Sequence, residues 1–321
     1  MIEKNYIRGT LYGVGSLVLI GIQPIIMLTK PSEIDAYLFA TMTIIYEALI
    51  FFPLFLIERK RLKLRLKNES PRNNDVVSLL NGWKKHKKLL LYIAINFAFA
   101  QVLFYVAYEF AGAINASLAQ KTTVIFGLVF GVIINHEKIS ISQIMFSILL
   151  LFGLTIAVTQ GSFNLLEFNI GVLIMIITAT LWMLGHAITK PFIGKDFTSI
   201  QLVFIRNCLN GIILISTYFI FFPLENINLI FNPLNQFYFI VMGFAYGFDL
   251  FCWYKALSYI EVSTASIIIS PSPIITALLA TIILGEIFTI YHLIGTIIIF
   301  LSIVIIVKKK SEKQSLSTIN Y

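Results

Sequence analysis

Charge is what this sequence has least of. Of its 321 residues only 12% are Asp, Glu, Lys or Arg, while 58% are hydrophobic and the mean hydropathy is +0.87. A water-soluble domain carries roughly 25% charged residues and under about 50% apolar ones. Too few charges exist to coat a soluble surface, so soluble, nucleic-acid-binding and disordered readings are excluded despite the net charge of +8 and the pI near 9.3. Cysteine is scarce too. Cys208 and Cys252 lie inside apolar runs and read as small buried hydrophobes, not as a disulfide framework or a zinc site. No Walker A, HExxH, G-x-S-x-G or paired-carboxylate motif occurs, so nothing points to ATP hydrolysis, a metal, a cofactor or a covalent intermediate.

What is present is hydrophobic length. A bilayer core takes roughly 20 apolar residues as a helix. Ten segments meet that measure, near 9–29, 36–57, 89–110, 113–135, 140–160, 170–190, 198–222, 236–257, 262–285 and 288–307. The first run, Leu11 to Leu28 behind Lys4 and Arg8, is longer than a signal peptide's apolar stretch and reads as a retained transmembrane helix. Most connections are short. The exception, 58–88, contains Pro71, Asn73-Asn74 and a dense set of Lys and Arg from Arg59 to Lys88.

Those basic residues set the expected sidedness. If the N-terminus is cytoplasmic, so are 58–88, Lys138, Lys190, Lys195 and the tail with Lys308-Lys309-Lys310 and Lys313, while the opposite loops contribute only Lys30. This asymmetry predicts a multi-pass plasma-membrane protein with both termini in the cytoplasm. The bilayer is its partner, and the basic loop is a topology signal with anionic lipid in reach. Nucleic acid is not implied. Monomer and homodimer both remain open.

The two halves resemble each other. Phe104-Tyr105-Val106-Ala107-Tyr108 aligns with Trp253-Tyr254-Lys255-Ala256-Leu257 at an offset of 149, which also aligns Ala116-Ser117 with Ala265-Ser266 and Glu137 with Glu286. Leu28-Thr29-Lys30-Pro31 resembles Ile188-Thr189-Lys190-Pro191. The fold class expected is an all-α integral membrane protein, ten transmembrane helices forming two inverted five-helix repeats. The first repeat is 1–160, with the basic cytoplasmic loop, and the second is 161–321, with the basic tail. An odd number of spans per repeat inverts the second copy, the architecture of alternating access around a midplane site.

At Trp253-Tyr254-Lys255-Ala256-Leu257, followed by Ala265-Ser266, Pro273 and Gly285-Glu286, the sequence resembles the drug/metabolite transporter superfamily, EamA-type branch. The resemblance covers about 8–307. It implies export of small metabolites or amino acids, a cavity lined by helices 1, 3, 4 and 6, 8, 9, and no ATP. The first half departs from the pattern: Lys121-Thr122-Thr123-Val124 stands where the second half has Ser270-Pro271-Ser272-Pro273, and Asn135-His136-Glu137 replaces a Gly-Glu ending.

Ionisable residues inside hydrocarbon cost several kcal/mol unless they face a partner or a wet cavity, so they mark a pathway. Lys121 lies about 12 Å into helix 4 at 1.5 Å per residue, with Ser117 and Gln120 nearby; it reads as a carboxylate or phosphate binder, or as the partner of Glu47. Glu47, mid-helix, is a candidate proton-coupling group, as is Glu109. Arg206 and Asp249 are placed for a bidentate bridge. Asp249 also sits in the stripe Tyr246, Asp249, Trp253, suited to an amine. Trp182, His186 and Thr189 share a face of helix 6, and Ala98, Gln101, Tyr105 and Glu109 one of helix 3. Helix 1 offers Tyr12, Ser16 and Gln23 beside Pro24. Pro271 and Pro273 free carbonyls near Ser270 that hydroxyls, water or substrate must satisfy.

Expected substrate contacts are therefore Lys121, Gln101, Tyr105, Trp182, His186, Asp249, Trp253 and Ser270, with Glu47, Glu109 and Arg206 for coupling or ion pairing. The function expected is a secondary transporter of a small polar metabolite, an amino acid or similar zwitterion or anion, more readily an exporter than an importer, with protons as the available coupling ion. A multidrug exporter of lipophilic compounds is the alternative, and a membrane-embedded enzyme on lipid-linked substrates the remote one.

Overall fold

Apolar runs of this length have one economical conformation away from water, because a helix satisfies its own backbone. The computed structural model describes residues 2–68, 74–162, 169–269, 271–302 and 305, and its named elements are helices. They are α1 (Ile2–Leu28), α2 (Ala36–Asn68), α3 (Asn74–Lys85), α4 (Lys87–Ala119), α5 (Thr123–Asn135), α6 (Ile141–Val158), α7 (Ile170–Thr189), α8 (Ser199–Phe221), α9 (Pro233–Leu257), α10 (Val262–Ile268), α11 (Ser272–Leu279) and α12 (Ile290–Ser302). Polar residues start several of them. Ser140 with Gln143, and Thr198 with Gln201, form reciprocal capping boxes, and Asn169 and Asn232 cap α7 and α9.

Among the described residues seven helices are long and apolar enough to cross a membrane, which makes this a multi-pass membrane protein. The ten expected runs do not appear as ten separate long helices. The third and fourth merge into one stretch, Lys87–Asn135, broken at Gly112, whose φ of 75° and ψ of 172° are open to glycine at little cost. The ninth is split by Pro271 and continues from α11 into a π turn, Ala280–Leu284. The last is short, Ile290–Ser302.

The packing joins the two halves throughout. α1 runs along α9 and α4 along α7, while α2 meets α8 and α5 meets α10. These pairings exchange with one another, or return to themselves, when the halves are exchanged. The surface is oily: Leu49, Phe52, Phe99, Ile148 and Phe244 are exposed. The polar side chains Glu47, Gln101, Lys121, Arg206 and Asn207 are buried at 0–1% exposure, an inside-out distribution that suits lipid.

Two polar contacts fix the ends. Glu286 follows Gly285 (φ 68°) and its carboxylate accepts from the N–H groups of Ala113 (2.6 Å) and Ile114 (2.9 Å), capping the α4 leg that begins after Gly112. On the preceding leg Glu109 pairs with Lys30 at 3.1 Å. In the basic loop, α3 packs Val76 and Leu80 on Leu62 of α2. Its far end is clasped by Asp196 of the α7–α8 turn, which accepts from Ser78 and lies 3.4 Å from Lys85 and 3.2 Å from His86. A Cβ at Gly82 would collide with the backbone carbonyl of Asp196, so glycine is what permits the approach.

Glu286→Ala should lower the unfolding free energy in detergent by about 1.5–3 kcal/mol, the value of bonds to a charged acceptor, and Glu286→Gln by less. For the clasp, burial raises the Asp196 carboxyl, but the Ser78 hydroxyl, Lys85 and His86 outweigh it and hold it below its ordinary value. A depressed carboxyl adds stability above the ordinary carboxylate range and loses it as pH falls through the folded value. Wild type should therefore resist trypsin at Lys84–Lys88 better than Asp196→Asn at neutral pH, and their unfolding midpoints should converge below about pH 4.

Candidate functional site

Between the halves lies a small cavity of about 50 Å³. Every long helix of the α1–α9 and α4–α7 pairs contributes. Ser16, Ile20 and Gln23 come from α1, Phe97 from α4, Trp182, Met183 and His186 from α7, Arg206 from α8, and Tyr246, Asp249, Leu250 and Trp253 from α9. Gln120, Lys121 and Thr123 enter from the junction of α4 and α5, and Ile269 from the end of α10.

Local chemistry explains how Lys121 is held. Residues Gln120–Thr122 form a 3-10 turn that aims the lysine across the molecular centre. Pro273 has no N–H to give the carbonyl of Ile269, four residues earlier. That carbonyl instead takes the Ser272 N–H at 3.2 Å and the Lys121 ammonium at 3.4 Å, while Lys121 also donates to Ser272 Oγ at 2.7 Å. Lys121 thus meets Ile269 and Ser272, the residues that answer to Gln120 and Thr123 in the repeat.

Opposite, Asp249 accepts from Ser16 Oγ and from Gln23 Nε2 at 2.9 Å. The expected bridge to Arg206 is not formed. Arg206 lies 4.3 Å over the Phe97 ring, donates to Tyr254 Oη at 3.3 Å and to Asn207 Oδ1 at 3.2 Å. A planar, weakly hydrated guanidinium stacks on an aromatic face, which gives it a berth without an acid. Lys121 likewise does not pair with Glu47. Among the described residues neither cation has a carboxylate within ion-pair distance.

Glu47 instead accepts from Gln101 Nε2 at 3.1 Å and Asn207 Nδ2 at 2.7 Å. Gln101 and Tyr105, expected at the substrate, belong to this buried network between α2, α4 and α8 and do not line the cavity; one turn of α4 separates Gln101 from the lining residue Phe97. Glu109 sits at the far end with Lys30. Ser270 lies outside the described residues. Lys121, Trp182, His186, Asp249, Trp253 and Arg206 are brought together at one cavity.

Sequence reading missed Phe97 and Asn207. Phe97 shares the Gln101 stripe at i and i+4, but an apolar residue gives no signal of its own. Asn207 adjoins Arg206, and that adjacency was the available clue. The cavity also gathers unmet polar atoms. Gln23 Oε1, Gln120 Nε2, His186 Nδ1 and Trp253 Nε1 are buried with no hydrogen-bond partner among the described residues. His186 is enclosed by aromatic rings, with centroids 4.9 Å from Phe97 and 5.2 Å from Trp253. Two basic side chains with no carboxylate in ion-pair distance among the described residues, one restrained acid and spare hydrogen-bonding groups suit a small ligand bearing a carboxylate, with room for an ammonium at Asp249.

The sequence matches the family model for EamA-like transporters twice, over residues 7–159 and 169–308. A crystal structure described only as that of a protein superposes with a TM-score of 0.66 at 11% identity, covering 92% of this chain and 94% of that one, a likeness of fold. No curated protein matches.

Replacing Glu47 with Leu should leave the amide donors of Gln101 and Asn207 orphaned, at about 1–3 kcal/mol each. Glu47→Gln, which keeps one acceptor, should be milder, and detergent unfolding midpoints of the two variants would rank them.

Proposed function

From the premise that this chain belongs to the EamA-like transporter family, we propose that it carries a small carboxylate-bearing metabolite, an amino acid or related anion, across the plasma membrane by alternating access. It is a membrane transporter of the drug/metabolite type, matched by the family model in two repeats. In our reading the repeats are inverted, the ten apolar runs each cross the bilayer, and both termini face the cytoplasm. The exchange of helix pairings between halves supports the first point, and the distribution of Lys and Arg supports the last.

One observation carries the substrate class. Lys121 and Arg206 both reach the cavity without an acid partner among the described residues, while Asp249 is already held by Ser16 and Gln23. In this arrangement Lys121 and Arg206 take the carboxylate, and Asp249 takes an ammonium where the ligand has one. A lipophilic cation would meet two positive groups, which argues against the multidrug alternative. A cavity of about 50 Å³ is far below the roughly 300 Å³ and more of ordinary ligand pockets, so entry requires the halves to part. Export of accumulated metabolite is the direction we favour.

The test is counterflow in vesicles with a panel of L-amino acids and short organic acids, beside dyes and quaternary amines. Lys121→Met should reduce carboxylate transport at least about tenfold, equivalent to ~1.4 kcal/mol of binding, with the protein still folded in the membrane. Unchanged kinetics in that variant, or transport confined to the dyes, would refute the assignment.

A further inference from the structure

Asn207 touches both buried charges that the cavity and the core otherwise keep apart. Its Nδ2 donates to Glu47 Oε2 at 2.7 Å, and its Oδ1 accepts from Arg206 Nε at 3.2 Å. Glu47 and Asn207 are 0% exposed and Arg206 is 1% exposed, so water does not compete for these bonds. The charges at either end fix the amide one way round, carbonyl to the guanidinium and NH₂ to the carboxylate. Arg206 reaches the cavity; Glu47 does not.

We propose that Asn207 links the occupancy of Arg206 to the proton occupancy of Glu47, so that a carboxylate entering the cavity and a proton entering the α2–α4–α8 pocket bind together. This rests on the reading of the cavity as a carboxylate site. With Arg206 free of ligand, its positive field reaches Glu47 through a polarised amide and favours the ionised carboxylate. A ligand carboxylate on Arg206 spends that field on itself. Glu47 then takes a proton from the aqueous phase that delivered the ligand, and the proton resides on a carboxylate oxygen. Proton and carboxylate move in the same direction, whichever gradient drives them.

The charged and titratable groups facing Glu47 are Arg206 from α8, Asp249 and Tyr246 from α9, and Tyr105 from α4. Asp249 is restrained by Ser16 and Gln23, and Tyr105 lies beside Gln101. Of the four, Arg206 is the cation joined to Glu47 through a bridging amide, that of Asn207, and it is the one of the bridged pair that reaches the cavity; the Gln101 amide joins Glu47 to the Tyr105 hydroxyl, which does not line it.

The experiment has two arms on the full chain in lipid vesicles. In the first, without ligand, infrared spectra at the pH where the wild-type band is half developed follow the protonated-carboxyl stretch that Glu47→Gln removes. Arg206→Gln and Asn207→Leu should each enlarge this band, and the double variant should exceed Arg206→Gln alone by less than about half the Asn207→Leu increment, the mark of a shared path. Additive growth, or no growth in Arg206→Gln, overturns the proposal. Asn207→Ser is read instead if the leucine variant does not fold.

In the second arm L-glutamate is the probe. Its binding is read by tryptophan fluorescence, because Trp182 and Trp253 line the cavity, and proton uptake by a pH dye. At a pH alkaline enough to abolish the Glu47 band without ligand, wild type should take up about one proton per probe bound, and Asn207→Leu should bind with less than about a fifth of that uptake. Binding without uptake in wild type overturns the link. If the probe fails to bind while the first arm behaves as expected, the carboxylate reading falls and the Asn207 link stands.

Discussion

A polar group inside a bilayer has no water to turn to, and the rest of this structure follows from that shortage of partners. Two departures from a regular helix are met by a side chain from the other half of the molecule. Where Gly112 breaks α4, the new N-terminal amides fall on Glu286, 173 residues away. Where Pro273 strips a donor from the α10 end, Lys121 supplies one across 148 residues to Ile269. These breaks are thus also points at which the halves are tied, so the helices cannot relax locally there without breaking a contact between repeats.

The same shortage sorts the charges. Glu47 and Asp249 are held by amides and a hydroxyl, not by cations, and Arg206 rests on Phe97 and Tyr254. A tight salt bridge in low dielectric is hard to open and useless to a ligand. Neutral donors satisfy an acid without cancelling it, and an aromatic face steadies a guanidinium without neutralising it. The cavity therefore keeps its cations available, at the cost of leaving several polar atoms of Gln23, Gln120, His186 and Trp253 unmet.

Much of the site was legible because lipid makes ionisable residues conspicuous. Lys121, Arg206 and Asp249 stood out in apolar runs, and helical spacing placed Trp182 with His186 and Tyr246 with Trp253. Pairing was not legible. Opposite charges at similar depth suggested Arg206 with Asp249 and Lys121 with Glu47, yet each of the four takes uncharged partners instead. Gln101 and Tyr105 lie on the protein-facing stripe that spacing indicated, but that stripe serves Glu47 and not the cavity, while Phe97, one turn away, faces the space.

Composition and periodicity by themselves determined that the chain is helical, lives in lipid and repeats itself, because those properties depend on residue type along one strand of sequence. The expected runs 89–110 and 113–135 bracket Gly112, where the helix breaks, because run length limits where one span can end. Which polar atom answers which, how far the ninth run unwinds, and that Asn207 stands between an acid and a guanidinium were decided only by packing. Such choices turn on the azimuth at which two helices meet, and a one-dimensional pattern does not carry that angle.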